Sequence, residues 1–154
     1  GGGKAAELME GTYRQIVSLP SAHAAYHRLF TALAEPAQPG AALFHCTTGK
    51  DRTGWAAATF LTVLGVGRDE VFDDYLLTND ELIPALHPVF AAFQAAGGDP
   101  RRVEAGPRRP AELPRGGAFE EMTAQFGDIE GYFRDGLGLD PAVPEQLRKR
   151  YLDQ

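Results

Sequence analysis

The sequence predicts an α/β domain, and three features of the chain lead to that expectation. The run Ala41–Phe44 is short and apolar and follows the turn signal Pro39–Gly40, which is typical of a buried parallel strand. A helical pattern follows from Thr53 to Leu64, and Gly65 is placed to end it. With 154 residues, 44% of them hydrophobic, the chain is long enough to bury the core of one domain.

The segment before the strand is expected to be helical over residues 20–33. Pro20 suits a first helical turn, where its missing N–H is not needed, and Ser18 is in position to cap the helix. The opening Gly1–Gly3, in contrast, is typical of a loop. The apolar face of the expected helix consists of Tyr26, Leu29, Phe30 and Leu33.

The segment after residue 65 is also expected to be mainly helical. Acidic residues near its start predict a helix over residues 68–77, because they complement the positive end of the helix dipole. A further helix over residues 82–96 should be kinked or split by Pro84 and Pro88, which cannot donate backbone hydrogen bonds. Shorter helices, with their aromatic residues in the core, are expected over residues 119–126, 128–137 and 144–152.

Residues 97–117 are rich in glycine, proline and arginine and are expected to form a mobile basic loop. Two interpretations stay open for this loop. It is either a solvated linker or the edge of a lid that attracts an anion. The arginines concerned are Arg101, Arg102, Arg108, Arg109 and Arg115.

The segment His45–Gly54 contains the only cysteine of the chain, Cys46, and places it six residues before Arg52. The loop joins a strand end to a helix start, where unpaired N–H groups and the helix dipole favour both an anion and a thiolate. Thiols in such positions have pKa values of roughly 3.5–7.5, so Cys46 is expected to be a thiolate at neutral pH. Arg52 supplies a planar fork of donors that matches two phosphate oxygens. The pattern therefore predicts an anion-binding loop with a nucleophile at its base.

Cysteine count and charge exclude several classes of protein. One cysteine cannot form an internal disulfide, and the chain lacks the paired cysteines of a zinc site. His23 and His27 have the spacing of helical metal ligands, but without a third ligand they are better explained as one helix face, so neither metal nor cofactor is expected. The net charge of −6 argues against a nucleic-acid-binding surface. No apolar run reaches the roughly 18 residues of a membrane span, and the localisation stays open.

The sequence HCTTGKDRTG at His45–Gly54 resembles the phosphate loop of the Cys-x5-Arg phosphatases, and in particular that of a family of bacterial tyrosine and lipid phosphatases. The resemblance extends to Tyr13–Gln15 with the helix after it, to Asp74–Asp80 and to Phe126–Arg134, and is weakest over 97–117. It implies a parallel sheet flanked by helices. It also implies hydrolysis of phosphomonoesters through a phosphocysteine, without a cofactor.

The resemblance implies a role for each residue of the loop, which spans residues 46–52. Cys46 would attack phosphorus, and Arg52 and the backbone N–H groups would hold the phosphate oxygens. The Thr53 hydroxyl would assist departure of the thiolate, and His45 would fix the cysteine and favour its ionised form. The phosphate-binding residues so implied are Thr47, Thr48, Gly49, Lys50, Asp51 and Arg52, and the catalytic residues are Cys46, Arg52, Asp51, His45 and Thr53.

Lys50 and Asp51 distinguish this loop from that of most tyrosine phosphatases, and each leaves two alternatives. Lys50 would either contact further phosphates on an inositol ring or only add positive potential around one phosphate. Asp51 would either protonate the leaving group or leave that role to an acid outside the sequence, because no aspartate precedes it in the chain.

The resemblance also bears on domain organisation. A parallel sheet needs several strands, yet the sequence shows one convincing strand, whose backbone groups would otherwise be buried without partners. The family places its earlier strands before the point where residue 1 stands. Residues 1–154 are therefore expected to be the C-terminal part of a single, larger phosphatase domain.

Three functions are compatible with the loop. The first is a cysteine-dependent phosphatase whose partners are a phosphorylated protein or a phosphoinositide, with inorganic phosphate or another oxyanion in the loop. The second is a sulfurtransferase or an arsenate reductase, although arsenate reduction normally requires further thiols. The third is a phosphate-binding module without catalysis.

Overall fold

The computed structural model describes residues 2–35, 40–99 and 117–152, and every regular element within these ranges is helical. Most of the predicted basic loop, residues 100–116, lies outside the described residues. The helices are α1 (Gly2–Ser18), α2 (Pro20–Ala34), α3 (Asp51–Val63), α4 (Arg68–Ala95), α5 (Ala118–Phe126), α6 (Ile129–Gly131), which continues into the π-helical turn Tyr132–Gly136, and α7 (Val143–Leu152).

Four predicted helices are confirmed with ends shifted by at most two residues, namely α2, α3, α5 and α7. Pro20 occupies the first turn of α2, as expected. The predicted cap is wrong, however. Leu19 precedes the helix without a side-chain cap, and the Ser18 hydroxyl instead donates to the Arg14 carbonyl at 2.8 Å, at the end of α1. Ser18 is thus part of the preceding helix.

Three other expectations about helices need correction. Gly2 and Gly3 belong to α1 and not to a loop. The helices predicted on either side of residues 78–81 form one helix, α4. This helix is not split at Pro84 or Pro88 either, because each proline removes only a single backbone N–H. The segment predicted as a helix over residues 128–137 is helical over residues 129–136, but as the three-residue α6 followed by a π-helical turn and not as one α-helix, and the Asp128 carboxylate accepts from the Gly131 N–H at 2.8 Å.

The buried strand predicted at Ala41–Phe44 is not formed within the described residues. Residues 41–46 belong to no regular element, and the Leu43 side chain is 92% exposed. The reason is that a parallel strand exists only beside a neighbouring strand, and the described ranges contain none. The apolar run identifies a segment suited to a sheet, but within these ranges nothing pairs with it.

The core is an aromatic and aliphatic cluster between the helices. Helix α1 packs on α5 and α2, α2 packs on α7, and α3 packs on α4 and α6. The Trp55 Nε1–H donates to the Tyr132 hydroxyl at 3.1 Å inside this cluster. The largest fully buried residues are Tyr132, Phe30, Phe133, Leu147, Val17, Val63 and Val71. The expectation that the aromatic residues near the C-terminus lie in the core is confirmed, and each such side chain contributes about 1.5–3 kcal/mol.

The two histidines of α2 contribute to packing. His23 Nε2 donates to the Val17 carbonyl at 2.6 Å, and His27 Nδ1 donates to the Leu137 carbonyl at 2.9 Å. A carbonyl oxygen only accepts, so each of these ring nitrogens carries a proton. The histidines thus tie α2 to its neighbours. Within the described ranges, moreover, no helix combines the length and the apolar character needed to cross a membrane.

Candidate active site

The predicted site residues form one loop that leads directly into α3. Gly49 has a φ of +73°, a backbone conformation that other residues rarely adopt, and it turns the chain toward the helix start. Helix α3 begins at Asp51, and the Gly54 N–H donates to the Lys50 carbonyl at 2.8 Å. The helix thus begins inside the predicted loop, with Cys46 at the opposite end of the same short segment.

The Cys46 thiol is half-buried and is surrounded by hydrogen-bond donors. Burial by itself raises the pKa of this thiol, but several hydrogen bonds to the sulfur outweigh burial and lower the pKa to about 6. They come first from the Thr53 hydroxyl and then from the backbone N–H groups of Thr53, Thr48 and Gly49. Cys46 is therefore a thiolate at neutral pH, and its neighbouring N–H groups point at the place where negative charge lies.

The Thr53 hydroxyl is matched to this thiolate. Its oxygen is buried, and within the described residues no partner of any kind meets it in full hydrogen-bonding geometry. The hydroxyl nevertheless lies near enough to the Cys46 sulfur to lower the pKa of that thiol, so the sulfur anion is the acceptor that the site offers to this donor. A buried donor without an acceptor costs roughly 1–3 kcal/mol, so the pairing favours the thiolate over the thiol.

We expect alkylation of Cys46 by iodoacetamide to show this directly. Only the thiolate reacts, so the rate should rise as pH increases through about 6 and then level off. Thr53→Val removes a donor to the anion and should move the midpoint upward by about one to two pH units. Thr53→Ser keeps the hydroxyl and should leave the midpoint unchanged. Equal midpoints in the valine and serine variants would contradict the role of Thr53.

Arg52 is exposed at the rim of the loop and reaches across it. Its Nη2 donates to the Thr47 hydroxyl at 3.1 Å, so the first and last parts of the loop are joined. The Tyr26 hydroxyl of α2 donates to the Arg52 carbonyl at 3.1 Å and anchors the backbone there. One nitrogen of the guanidinium is thus held at the loop residue that follows Cys46, and the planar fork of donors to which it belongs is suited to a tetrahedral oxyanion.

His45 contacts the cysteine through the backbone. Its Nδ1 donates to the Cys46 carbonyl at 3.1 Å, and the ring is exposed. Because the carbonyl can only accept, the proton is on Nδ1. The groups that lower the pKa of Cys46 are the hydroxyl and N–H donors described above, so the geometry assigns His45 to the orientation of the backbone at Cys46.

Asp51 and Lys50 belong to a cluster with two tyrosines that lie in segments of the family resemblance but were not predicted to be site residues. Asp51 Oδ1 accepts from both the Tyr13 hydroxyl and Lys50 Nζ. Lys50 Nζ also donates to the Tyr13 oxygen at 3.3 Å, and the Tyr13 and Tyr75 hydroxyl oxygens are 2.8 Å apart. Tyr13 and Tyr75, here called the tyrosine pair, come from α1 and α4. Spacing carries no signal for them, because Tyr13 lies 38 residues before Asp51.

Gly54 makes room for one member of the tyrosine pair. A Cβ atom at Gly54 would lie 2.6 Å from Cε2 and 2.8 Å from Cδ2 of the Tyr75 ring. The buried ring of Tyr75 could not retreat without disturbing its surroundings. Gly54, in the first turn of α3, therefore acts through packing, since it allows α4 to bring Tyr75 against the start of α3.

Two pockets lie on different parts of the loop. A cavity of about 20 Å³ is lined by Asp51, Gly54 and the tyrosine pair. A cleft of about 600 Å³ lies between the loop and helices α1 and α2, and it is lined by Phe44, His45, Cys46, Arg52 and Thr53 among others. Cys46 and Arg52 thus line the larger cleft, whereas Asp51, whose side chain is 26% exposed, lines the smaller pocket.

Comparison with known proteins agrees with this geometry. The family model described as "Tyrosine phosphatase family" matches residues 1–153. A Cupriavidus necator protein with a provisional tyrosine-protein phosphatase name is 34% identical over 128 residues, which cover 82% of this chain and 45% of that protein. The triple specificity protein phosphatase PtpB of Mycobacterium tuberculosis is 30% identical over 154 residues, which cover 94% of this chain and 54% of the PtpB chain.

A tyrosine-protein phosphatase of Nostoc commune is 34% identical over 121 residues, which cover 73% of this chain and 40% of the relative. The chain thus spans about half the length of the curated relatives that it matches. The resemblance predicted from the loop is confirmed over nearly the whole chain, and the protein belongs to the tyrosine phosphatase family.

Proposed function

We propose that this protein hydrolyses phosphomonoesters through a phosphocysteine at Cys46. The observation that carries the proposal is the Cys46 thiolate, with a pKa of about 6, in a loop whose N–H groups donate to the sulfur and whose Arg52 guanidinium bonds the Thr47 hydroxyl. Such a loop binds an oxyanion and presents a nucleophile to it at the same time. Membership of the tyrosine phosphatase family favours this function over sulfur transfer, arsenate reduction and binding without catalysis.

In the first step the Cys46 sulfur donates an electron pair to phosphorus, and the bond between phosphorus and the ester oxygen breaks. That oxygen keeps the bonding pair and takes a proton from Asp51, the acid that the loop itself provides. Arg52 and the N–H groups hold the three equatorial oxygens, over which the charge of the transferring phosphoryl group is spread.

In the second step a water molecule attacks phosphorus and gives one of its protons to the Asp51 carboxylate, so Asp51 is protonated again. The bond between phosphorus and sulfur breaks, and its electron pair returns to Cys46 as the thiolate. The Thr53 hydroxyl would stabilise this departing anion, and its lowering of the pKa of Cys46 supports that role. The products are inorganic phosphate and the free enzyme, so no cofactor is required.

Phosphotyrosine in proteins is the proposed principal substrate, with phosphoserine, phosphothreonine or a phosphoinositide as further substrates. The M. tuberculosis relative is named a triple specificity phosphatase, which supports a broad range here. Lys50 is paired with Asp51 and donates to Tyr13, so a second substrate phosphate would have to compete for its ammonium group. Lys50→Gln should therefore affect a phosphoinositide and a phosphotyrosine peptide equally, and a loss confined to the phosphoinositide would assign Lys50 to the second phosphate.

The sheet of the domain is proposed to form when further strands lie beside residues 41–44. The support is local: the backbone there belongs to no regular element, Leu43 is exposed, and the neighbouring cleft has apolar walls that include Ile16 and Phe44. Residues 1–154 would then be the C-terminal part of one domain. Hydrogen exchange tests this, because the amides of residues 41–44 should become protected in a longer polypeptide that supplies strands.

Trapping of the intermediate tests the proposed function. We expect a rapid denaturing quench of the protein with an aryl phosphate to add the mass of one phosphoryl group to the peptide that contains Cys46. Protein alkylated at Cys46 beforehand is the control and should neither gain this mass nor release phosphate. Turnover without phosphoryl transfer to that peptide would overturn the mechanism. Transfer of sulfur from thiosulfate to cyanide would instead identify a sulfurtransferase.

A further inference from the structure

The tyrosine pair and Lys50 form a hydrogen-bonded chain whose direction follows from the donors available. Burial raises the pKa of both phenols, so each keeps its single proton. Lys50 can only donate, and the Asp51 carboxylate can only accept. Tyr13 therefore donates a hydrogen bond to Asp51 Oδ1, and its oxygen accepts hydrogen bonds from Lys50 and from Tyr75. The hydrogen bonds are thus donated from Tyr75 to Tyr13 and from Tyr13 to Asp51.

This direction determines which oxygen of Asp51 is available for chemistry. Oδ1 already accepts hydrogen bonds from Tyr13 and Lys50. A proton that Asp51 delivers to a leaving group must then reside on Oδ2. When that proton leaves, the new negative charge on the carboxylate is met by donors that are already in place, so little reorganisation is needed.

We propose that Tyr13 and Tyr75 are positioning residues that orient Asp51 for proton transfer and stabilise its carboxylate after the transfer. The proposal rests on the proposed hydrolysis and on Asp51 as the acid. It is supported by contacts that join three helices: Tyr13 of α1 bonds the Asp51 carboxylate of α3, and Tyr75 of α4 bonds Tyr13. The missing side chain of Gly54 is what admits Tyr75 to this place.

A double-mutant cycle with two substrates tests the proposal. Phenyl phosphate has a basic leaving group that needs a proton, whereas dinitrophenyl phosphate has one that does not. We expect Asp51→Asn to lower kcat on phenyl phosphate by about 10²- to 10⁴-fold and to change dinitrophenyl phosphate little. Tyr13→Phe should show the same selectivity with a fall of about tenfold to hundredfold, and Tyr75→Phe a smaller one.

In the Asp51→Asn background, Tyr13→Phe should have no further effect on phenyl phosphate, because its target is gone. Tyr132→Phe is the matched control: it removes another buried hydroxyl, bonded to Trp55, and should affect both substrates equally. Equal loss on both substrates, or full additivity of the Tyr13 and Asp51 changes, would overturn the inference.

Failure of the inference is distinguishable from failure of the proposed function. If wild-type protein and Cys46→Ser are equally inactive on dinitrophenyl phosphate, the proposed hydrolysis and the inference both fall. If the wild type hydrolyses both esters and Asp51→Asn shows no selectivity between them, the hydrolysis stands while the role of the tyrosine pair is overturned.

Discussion

Replacement of Cys46 by serine should abolish hydrolysis of aryl phosphates, with a fall in kcat of about 10⁴-fold or more. The physical reason is ionisation. The Cys46 thiol has a pKa of about 6 in this loop and is an anion at neutral pH, whereas the same hydrogen bonds cannot ionise a serine hydroxyl at that pH. Steady-state release of phosphate from an aryl ester measures the effect.

Binding of an oxyanion provides the control for Cys46→Ser. Serine leaves the Arg52 guanidinium and the loop N–H groups in place, so vanadate or phosphate should still bind with an affinity within about tenfold of the wild type. Tryptophan fluorescence or calorimetry can follow this binding. Retained turnover in the variant would refute nucleophilic catalysis by Cys46, and lost binding together with lost turnover would point to a collapsed loop instead.

Replacement of Arg52 by lysine should lower kcat on an aryl phosphate by about 10³-fold, although the formal charge is unchanged. Arginine presents a planar fork that spans two equatorial oxygens, and here it is already oriented by its hydrogen bond to the Thr47 hydroxyl. Lysine offers a single point of charge on a flexible stem. Phosphate affinity should fall as well, but by less than kcat, because the fork binds the ground state too and binds the transition state more strongly.

Arg134 offers a matched control for this substitution. It is an exposed arginine paired with the neighbouring Asp135, and it lies on the π-helical turn, away from the loop. Arg134→Lys should leave both kcat and phosphate affinity unchanged. Arg52→Lys with wild-type kcat would show that positive charge alone, and not the shape of the guanidinium, accounts for the role of Arg52.

Much of the fold and of the candidate site could be predicted because the information is local. Helices α2, α3, α5 and α7 follow from side-chain periodicity and from punctuating glycines and prolines, which act within a turn or two. The loop His45–Gly54 is also predictable from local information, because its residues are contiguous in the chain. A strand depends on its partners, so the apolar run before the loop could not by itself establish the environment that Leu43 has.

The sequence alone identified the loop His45–Gly54, because its thiol, guanidinium, hydroxyl and the helix start that orients them are contiguous in the chain. The tertiary structure decided the surroundings of Asp51. Tyr13 and Tyr75 reach it from helices far apart in sequence, across a gap that Gly54 leaves open. Such contacts depend on how helices pack, and no spacing between residues encodes them. The alternatives for Asp51 and Lys50 that the sequence left open therefore become specific hypotheses about one hydrogen-bonded cluster.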